Sequence, residues 1–406
     1  MSSTSEGRSP VVVIGSGPAG MATALALHKV GHTPIVLERY REARPAGNIL
    51  NLWPPPIKAL REMGVDITDL GAPCHTTFRG VHGNVRADVR IPDDVVRDYG
   101  GGFIGLLRPE LYRRMLAAMP ADVIRFGTTV VSLEDRGDDV RVTLGDGEVI
   151  DAGVVVGADG IDSMVRTHLW GASDKREHRL QIVGGYTFAD VPGAERNEVV
   201  LRHDRTVQGT YSSIRDGGRD GFQWWVLQAW DPEAPAPADL RAHALGLARR
   251  FPGPLAGLVE ATADDACQRW MIRDRKPIPR WSRGRITLAG DAAHATSPYA
   301  AYGAGMSIGD GYTIGQELAG LDLTDTAGVH AALSRYDDRR VAHTTAQVQQ
   351  AYVLGQVFHH APAPLRPLRD FVLDHTPLLQ KQVGERTPGE IVAQLAEMGD
   401  GLRGRA

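Results

Sequence analysis

At 406 residues, with 42% hydrophobic and 23% charged side chains, the chain is long enough for two or three packed units and is neither disordered nor fibrous in composition. A formal net charge of -4 argues against a nucleic-acid partner held by phosphate neutralisation and directs attention to a small-molecule ligand. Two distant cysteines, Cys74 and Cys267, without C-x-x-C spacing or histidine-rich company, point to neither a disulfide framework nor a metal site.

Residues 1–8 form a polar tail. Four β-branched residues over 11–14 predict a buried strand, and Gly15-Ser16-Gly17-Pro18-Ala19-Gly20 then leads into an apolar helix over 21–30. The glycines fit G-x-G-x-x-G: Gly15 for a sharp turn, Gly17 for backbone approach to a pyrophosphate, Gly20 for close packing of helix on strand. The helix N-terminus adds N–H groups and partial positive charge for an anion. A second strand over 33–37 ends in Glu38, 18 positions after Gly20, where a carboxylate can accept from adenosine ribose hydroxyls. Because Gly15 to Pro18 break the apolar run 11–27 and no cleavage site follows, neither a membrane span nor a leader is expected, and cytoplasmic residence is.

Residues 39–53 read as a loop, and Pro54-Pro55-Pro56 opens a short helix over 57–63. Residues 78–91 alternate like strands, Gly100 to Gly102 mark a loop, and Arg108-Pro109 begins a helix to about Met119. Strands follow over 123–126, 128–134 and 140–144, with Gly145-Asp146-Gly147 as a hairpin turn, and then over 152–157, ending in Gly157-Ala158-Asp159-Gly160. A β-rich stretch covers 182–188, 198–202, 206–214 and 222–230, followed by a helix over 240–251. A short strand over 285–288 ends in Gly290-Asp291, a glycine-rich helix runs through Leu318, and amphipathic helices continue from about 329 with a proline break at 362–367. This order implies an α/β fold: a Rossmann-like dinucleotide domain, an inserted and mainly antiparallel substrate sheet, and C-terminal helices. The expected division is 1–178, with strands in 70–100 contributing to the substrate sheet, then 179–268 for that sheet, 269–328 for the return segment, and 329–406 for the helical region.

Taken singly, Asp159-Gly160 and Gly290-Asp291 are ordinary turn pairs, and Ser163 is an ordinary helix cap. Taken in order with the first fingerprint, GADGIDSMVR and DRKPIPRWSRGRITLAGDAAH make the chain resemble the group A flavoprotein monooxygenases, the para-hydroxybenzoate hydroxylase family, over nearly its whole length. The resemblance implies bound FAD, reduced by NADPH or NADH, for which the chain has no separate fingerprint. It also implies cofactor contacts for Gly15, Gly17, Gly20, Glu38, Arg39, Arg108, Asp159 and Asp291, with Asp291 at the ribityl chain and Asp159 serving both the pyrophosphate and the fold. The turn from Pro298 to Gly305 would aim a helix N-terminus at the N1–C2 edge of the flavin, through Gly303, Ala304 and Gly305, where it stabilises reduced-state negative charge. Here the chain departs from the family: Ala301 replaces a usual glycine, Tyr302 a usual Gln and Gly305 a usual Asn, while Pro298, Gly303 and Asp310 fit. Gly309 and Gly311 cost the helix roughly 1 kcal/mol each against alanine and read as close packing against cofactor or sheet.

The resemblance further implies a flavin C4a-hydroperoxide that hydroxylates a phenolic or polycyclic aromatic small molecule with molecular oxygen. Baeyer–Villiger oxygenation of a natural-product intermediate is the alternative within the same chemistry, and a non-catalytic FAD-binding protein is the alternative outside it. A halogenase is disfavoured because no W-x-W-x-I-P segment is present. Both oxygenation routes need a dry, apolar pocket with few polar anchors. Tyr211, Gln223 and Trp225 on the strands, and Pro298 and Tyr302 on the flavin-side turn, are the candidate catalytic-pocket residues, with sheet packing as the competing role for each. Alternation puts Gln223 and Trp225 on one face and Trp224 on the other. Trp53 is a further candidate; His75, His203 and His294 are conceivable bases, with an exposed or core role favoured for each and a structural one for His294. Arg202 would suit a substrate carboxylate. No nucleic-acid or membrane partner is expected, and a homodimer is left open.

Overall fold

The computed structural model describes residues 9–43, 49–300, 302–399 and 401–402. Strand β1 (Val11–Ile14) leads into helix α1 (Pro18–Lys29), which starts three residues before the expected Met21 with Pro18 in its first turn, and β2 (Pro34–Glu38) returns parallel to β1. Within 39–53, where a loop was expected, residues Ile49–Leu52 form β3; its hydrogen bonds come from a distant strand, which local composition does not report. Helix α2 (Pro54–Glu62) uses the three prolines as its first turn. Short strands β4 (Ala72–Pro73), β5 (His75–Gly80) and β6 (Val85–Val89), helix α3 (Asp93–Asp98) and strand β7 (Ile104–Leu107) precede helix α4 (Arg108–Ala118).

Strands β8 (Ile124–Phe126), β9 (Val130–Asp135), β10 (Val140–Leu144), β11 (Val149–Ala152) and β12 (Val154–Gly157) follow, then helix α5 (Met164–Trp170). The long strands β13 (Lys175–Thr187), β14 (Glu198–His203), β15 (Val207–Asp216) and β16 (Arg219–Ala229) precede helices α6 (Leu240–Ala248) and α7 (Leu255–Glu260). Strands β17 (Gln268–Arg275) and β18 (Ile286–Leu288), helices α8 (Asp291–His294), α9 (Gly303–Leu318), α10 (Thr326–His359) and α11 (Arg366–His375), and α12 (Arg386–Met398) complete the described chain.

The five-stranded sheet has the order β18-β12-β1-β2-β8, all parallel, and β1 and β12 are buried along their whole length because α1, α9, α10 and a separate three-stranded sheet, β11-β10-β9, share one core with them. Helix α9 lies directly on α1: a Cβ at Gly311 would overlap the backbone of Thr23, and one at Gly315 would lie 2.5 Å from the Cβ of Ala26. This corrects the expectation for Gly311, whose partner is a helix rather than the cofactor or the sheet; Gly309 instead faces the Arg340 guanidinium at 3.2 Å.

The ten-stranded sheet runs β17-β13-β16-β15-β14-β5-β6, with β3, β4 and β7 joined through β15. It is antiparallel apart from the β14–β5 and β15–β7 pairs. Its strand β13 begins at Lys175 and its strand β17 covers Gln268–Arg275, so its strands reach past both 179 and 268. Helices α6 and α7 cover one of its faces around Trp224, Phe222 and Tyr211. Its other face looks toward the parallel-sheet unit and the C-terminal helices. Among the described residues no helix is long and apolar enough to cross a membrane.

Candidate active site

A cleft opens where β1 meets α1. Gly15 turns at φ +103°, where a Cβ would overlap the Ala158 carbonyl, and a Cβ at Gly20 would overlap Gly15 itself. Gly17 differs, because a Cβ there would meet nothing within 4 Å. It therefore leaves the floor of the cleft open while Gly15 and Gly20 bring strand and helix together. Helix α1 has no side-chain cap and no acid in its first turn, and its first amide bonded back to Gly17 is that of Met21, at 2.9 Å. The amides of Ala19 and Gly20 ahead of it have no acceptor within the helix, and Gly17, Pro18 and Ala19 line the cleft or the cavity that joins it.

The cleft measures about 450 Å³ and is lined in part by Gly15, Gly17, Glu38, Arg39, Arg108 and Asp159. Glu38 accepts from the Ser16 amide and hydroxyl, both at 2.8 Å, and from the Tyr40 amide at 2.9 Å, which fixes its carboxylate at the end of β2. Arg39 lies over the Tyr40 ring, 5.1 Å from its centroid. Asp159 accepts from the Ser163 hydroxyl at 2.6 Å and from the amides of Met164 and Val165 at 2.7 and 3.3 Å. Burial raises its pKa against these bonds. Ser163 caps α5 by accepting from the Arg166 amide at 2.8 Å. The Arg166 guanidinium, pushed down to about 10 chiefly by burial, donates to the carbonyls of Ala292, Ala293 and Lys276. GADGIDSMVR is thereby tied to the Gly290-Asp291 turn.

Asp310, fully buried on α9, holds that turn from the other side. It accepts from the Gly290 amide at 2.8 Å, His294 Nε2 at 2.5 Å and Arg340 Nε at 2.9 Å. Burial works to raise its pKa, but His294 and Arg340 outweigh burial and hold it below the ordinary carboxylate value. Asp291 is left exposed at the start of α8, lining the larger cavity. Helix α9 likewise starts without a side-chain cap or an acid in its first turn, and Gly303 and Ala304 line the cavity. Gly305 does not; a Cβ there would lie 2.7 Å from the Tyr302 ring, so it serves packing. Ala301 lies outside the described residues.

That cavity, about 740 Å³, joins the cleft at Gly17, Arg108 and Ala304. Trp225, Leu227 and Ile182 from the large sheet, Trp53 edge-on to Phe103 at 4.3 Å, and Phe358 and Leu379 from the C-terminal region supply apolar wall. Pro298 and Tyr302 line it as well, and the Tyr302 hydroxyl donates to Gln394 of α12 at 2.6 Å. Burial pushes the Tyr302 phenol well above its ordinary range.

Two candidates are placed elsewhere. Tyr211 pairs across strands with Trp224 and points into the core under α6 and α7, because odd-numbered residues of β15 take that face. Gln223 shares its face with Trp225 but is consumed by structure. Its Oε1 accepts from the Leu50 amide at 3.0 Å, and its Nε2 donates to Leu50 O, Asn51 Oδ1 and Ser212 Oγ at 3.0–3.1 Å. It pins β3 and does not line the cavity. Arg202 turns to the opposite face and donates to the Pro252 carbonyl. His75 is exposed and hydrogen-bonded to Asp88 at 2.5 Å; His294 is committed to Asp310.

His203 does line the cavity, 3% exposed and stacked on Phe358 at 4.1 Å. Gln208 and Tyr299 line it too and were not singled out from sequence. Gln208 was legible from the same alternation read in the opposite phase to Tyr211, whereas Tyr299 and Phe358 carry no periodic signal toward a site.

These residues fit an FAD. An open-floored glycine turn and a bare helix N-terminus suit a pyrophosphate, the carboxylate fixed at the end of β2 suits a ribose, and a second bare helix N-terminus lies at the cavity. The buried hydroxyls of Thr296 and Ser297 line the cavity and lack a partner among the described residues, as the polar edge of a ring system would satisfy.

Comparison with known proteins agrees. A family profile described as "FAD binding domain" matches residues 8–351. A 3-amino-4-hydroxybenzoate 2-monooxygenase of Streptomyces platensis is 30% identical over 385 residues, covering 91% of this chain and 93% of that protein. A 3-hydroxybenzoate 6-hydroxylase of Klebsiella oxytoca is 28% identical, covering 86% and 89%. The structure of Klebsiella pneumoniae HpxO with FAD and uric acid superposes with a TM-score of 0.79 at 22% identity, over 96% of this chain and 97% of that one.

Proposed function

Given that the chain belongs to the FAD binding domain family, in the group A flavoprotein monooxygenase class, we propose that it consumes NADPH or NADH and hydroxylates a phenolic or polycyclic aromatic small molecule. The observation that carries this reading is the continuity of the nucleotide cleft with an aromatic-walled cavity at Gly17, Arg108 and Ala304.

Bound FAD supplies the redox and oxygen-activating chemistry. The amides at the head of α1 would hold its phosphates, Asp291 and Arg108 would contact it, and the head of α9 would favour negative charge beside it. Trp225, Leu227, Ile182 and Trp53 keep water from the reacting centre and hold a flat ring by its faces. Tyr302 closes the wall from the α12 side, and Pro298 contacts substrate at the mouth. The Tyr302 phenol is spent as a donor to Gln394, so it shapes the pocket and does not act as a base at neutral pH.

The test is NADPH or NADH oxidation and oxygen uptake by the FAD-loaded protein against phenols, aromatic acids and polycyclic ketones, with product mass recorded. A phenol that accelerates oxidation and gains one oxygen supports the proposal. A ketone that gains a ring oxygen transfers it to Baeyer–Villiger chemistry. Flavin that neither NADPH nor NADH reduces without oxygen, with no ligand effect, leaves a binding-only protein.

A further inference from the structure

The strand register arranges the cavity side of the large sheet in transverse rows. One row runs Trp270, Ile182, Leu227, Gln208, His203, each residue directly opposite the next on the neighbouring strand. The first three are apolar and the last two are polar, and all five line the cavity. His203 and Gln208 are each 3% exposed, and among the described residues the only polar interaction of His203 Nε2 and Gln208 Oε1 is with each other, outside good hydrogen-bond geometry. A buried donor and acceptor held in a poor mutual contact gain from a ligand that offers each a well-placed partner. Gln208 Nε2 donates to Thr210 Oγ1 at 3.0 Å, which leaves its oxygen as the open atom.

We propose that the His203–Gln208 pair recognises an uncharged amide-like group, a carboxamide or lactam, at the far end of an elongated aromatic substrate. The inference rests on the reading of this cavity as an aromatic-substrate site. Its chemistry follows from the two open atoms. Gln208 Oε1 only accepts, and His203 with its proton on Nε2 donates, so an amide N–H and C=O satisfy both. A carboxylate satisfies the imidazole and sets its second oxygen against Gln208 Oε1, a like-to-like contact that selects against acids. Burial holds the imidazole well below its ordinary pKa, so it does not offer a cation to compensate. The Arg86 and Arg369 guanidiniums are paired with Asp374 and Asp370, both at 2.6 Å, with Arg86 Nη1 lacking a hydrogen-bond partner among the described residues, and neither residue lines the cavity.

The length of the substrate follows from the rows. The Val199, Ser212 and Gln223 row holds β3, whose Leu50 lines both cleft and cavity. The His203–Gln208 row lies four residues farther along the same strands, about 13 Å at ~3.3 Å per residue. A single ring cannot reach from one row to the other, whereas a fused bicyclic ring bearing an amide approaches that span.

The experiment uses the FAD-loaded protein without NADPH or NADH, titrated with 6-hydroxy-2-naphthamide, 6-hydroxy-2-naphthoate and 2-naphthol. Binding is followed by quenching of tryptophan fluorescence, to which Trp225 and Trp270 in the cavity wall contribute, and by flavin absorbance. The amide is expected to bind about tenfold or more tighter than either of the others. His203→Phe, which keeps the stack on Phe358, and Gln208→Leu should each bring the amide to the level of 2-naphthol while leaving 2-naphthol within about twofold. Equal or tighter binding of the naphthoate, amide affinity that survives either substitution, or no binding by any probe overturns the proposal. Tight amide binding without NADPH- or NADH-dependent oxygenation of any phenol would instead sink the hydroxylase reading and leave this one standing.

Discussion

Glycines 17 and 20 differ by three positions and by opposite physical demands. Gly20 faces the Gly15 carbonyl so closely that no methyl fits, while a methyl at Gly17 would point into empty cleft. Gly20→Ala should therefore destabilise the fold, by about 1–3 kcal/mol as an overpacked contact, measured by urea unfolding of the apoprotein. Gly17→Ala should leave that stability within about 0.5 kcal/mol, as expected of a substitution that meets no neighbour, and weaken FAD by about tenfold or more in a titration. Unchanged FAD affinity in Gly17→Ala would mean that the cleft is not where the phosphates lie. Gln223 makes the complementary point, since a polar side chain that looked like a pocket residue spends its whole amide on Leu50, Asn51 and Ser212. Gln223→Leu leaves the buried Leu50 amide unpaired and should cost about 1–3 kcal/mol of stability by urea denaturation, with FAD affinity retained.

Helix α9 is fixed by one buried carboxylate and two close approaches. Gly311 and Gly315 let it lie on α1, and Asp310 joins it to the Gly290 turn, His294 and Arg340. Because the folded pKa of Asp310 lies below its ordinary value of 3.8, its ionised form contributes stability that is present in full above that value and lost as pH falls through the folded pKa. Asp310→Asn should lower the urea midpoint at pH 7, and the gap between variant and parent should narrow as pH drops below about 4. A gap that widens on acidification would show that the network does not depend on the carboxylate charge. The element itself was foreseeable from Gly290-Asp291 and the glycine-rich run. Its partner was not: the notch that Gly311 fills is made by Ala22 and Thr23, almost three hundred positions earlier.

On the scale of the molecule, the C-terminal helices close a cavity that the two sheets alone would leave open. Tyr302 joins α9 to α12 through Gln394, and Phe358 of α10 stacks on His203 of the large sheet. Removing the first tie with Tyr302→Phe should cost about 1 kcal/mol and admit water. The measurement is the fraction of NADPH or NADH consumption that yields hydrogen peroxide in place of hydroxylated product, expected to rise above that of the parent protein. By itself, the sequence determined the β1–α1–β2 unit, the glycine turn and the β-rich stretch from about 180 to 230, because each depends on local periodicity or on a backbone conformation tied to one residue type. Which face of that stretch lines a cavity was decided only in three dimensions. Residues 207–229 alternate regularly, but α6 and α7 happen to cover the face of Tyr211 and Trp224, and the C-terminal helices close over the face of Gln208 and Trp225. The pairing that sets His203 beside Gln208 is likewise a matter of register between strands. A strand displays its two faces in its own sequence, but the choice between them is made by elements packed from far along the chain.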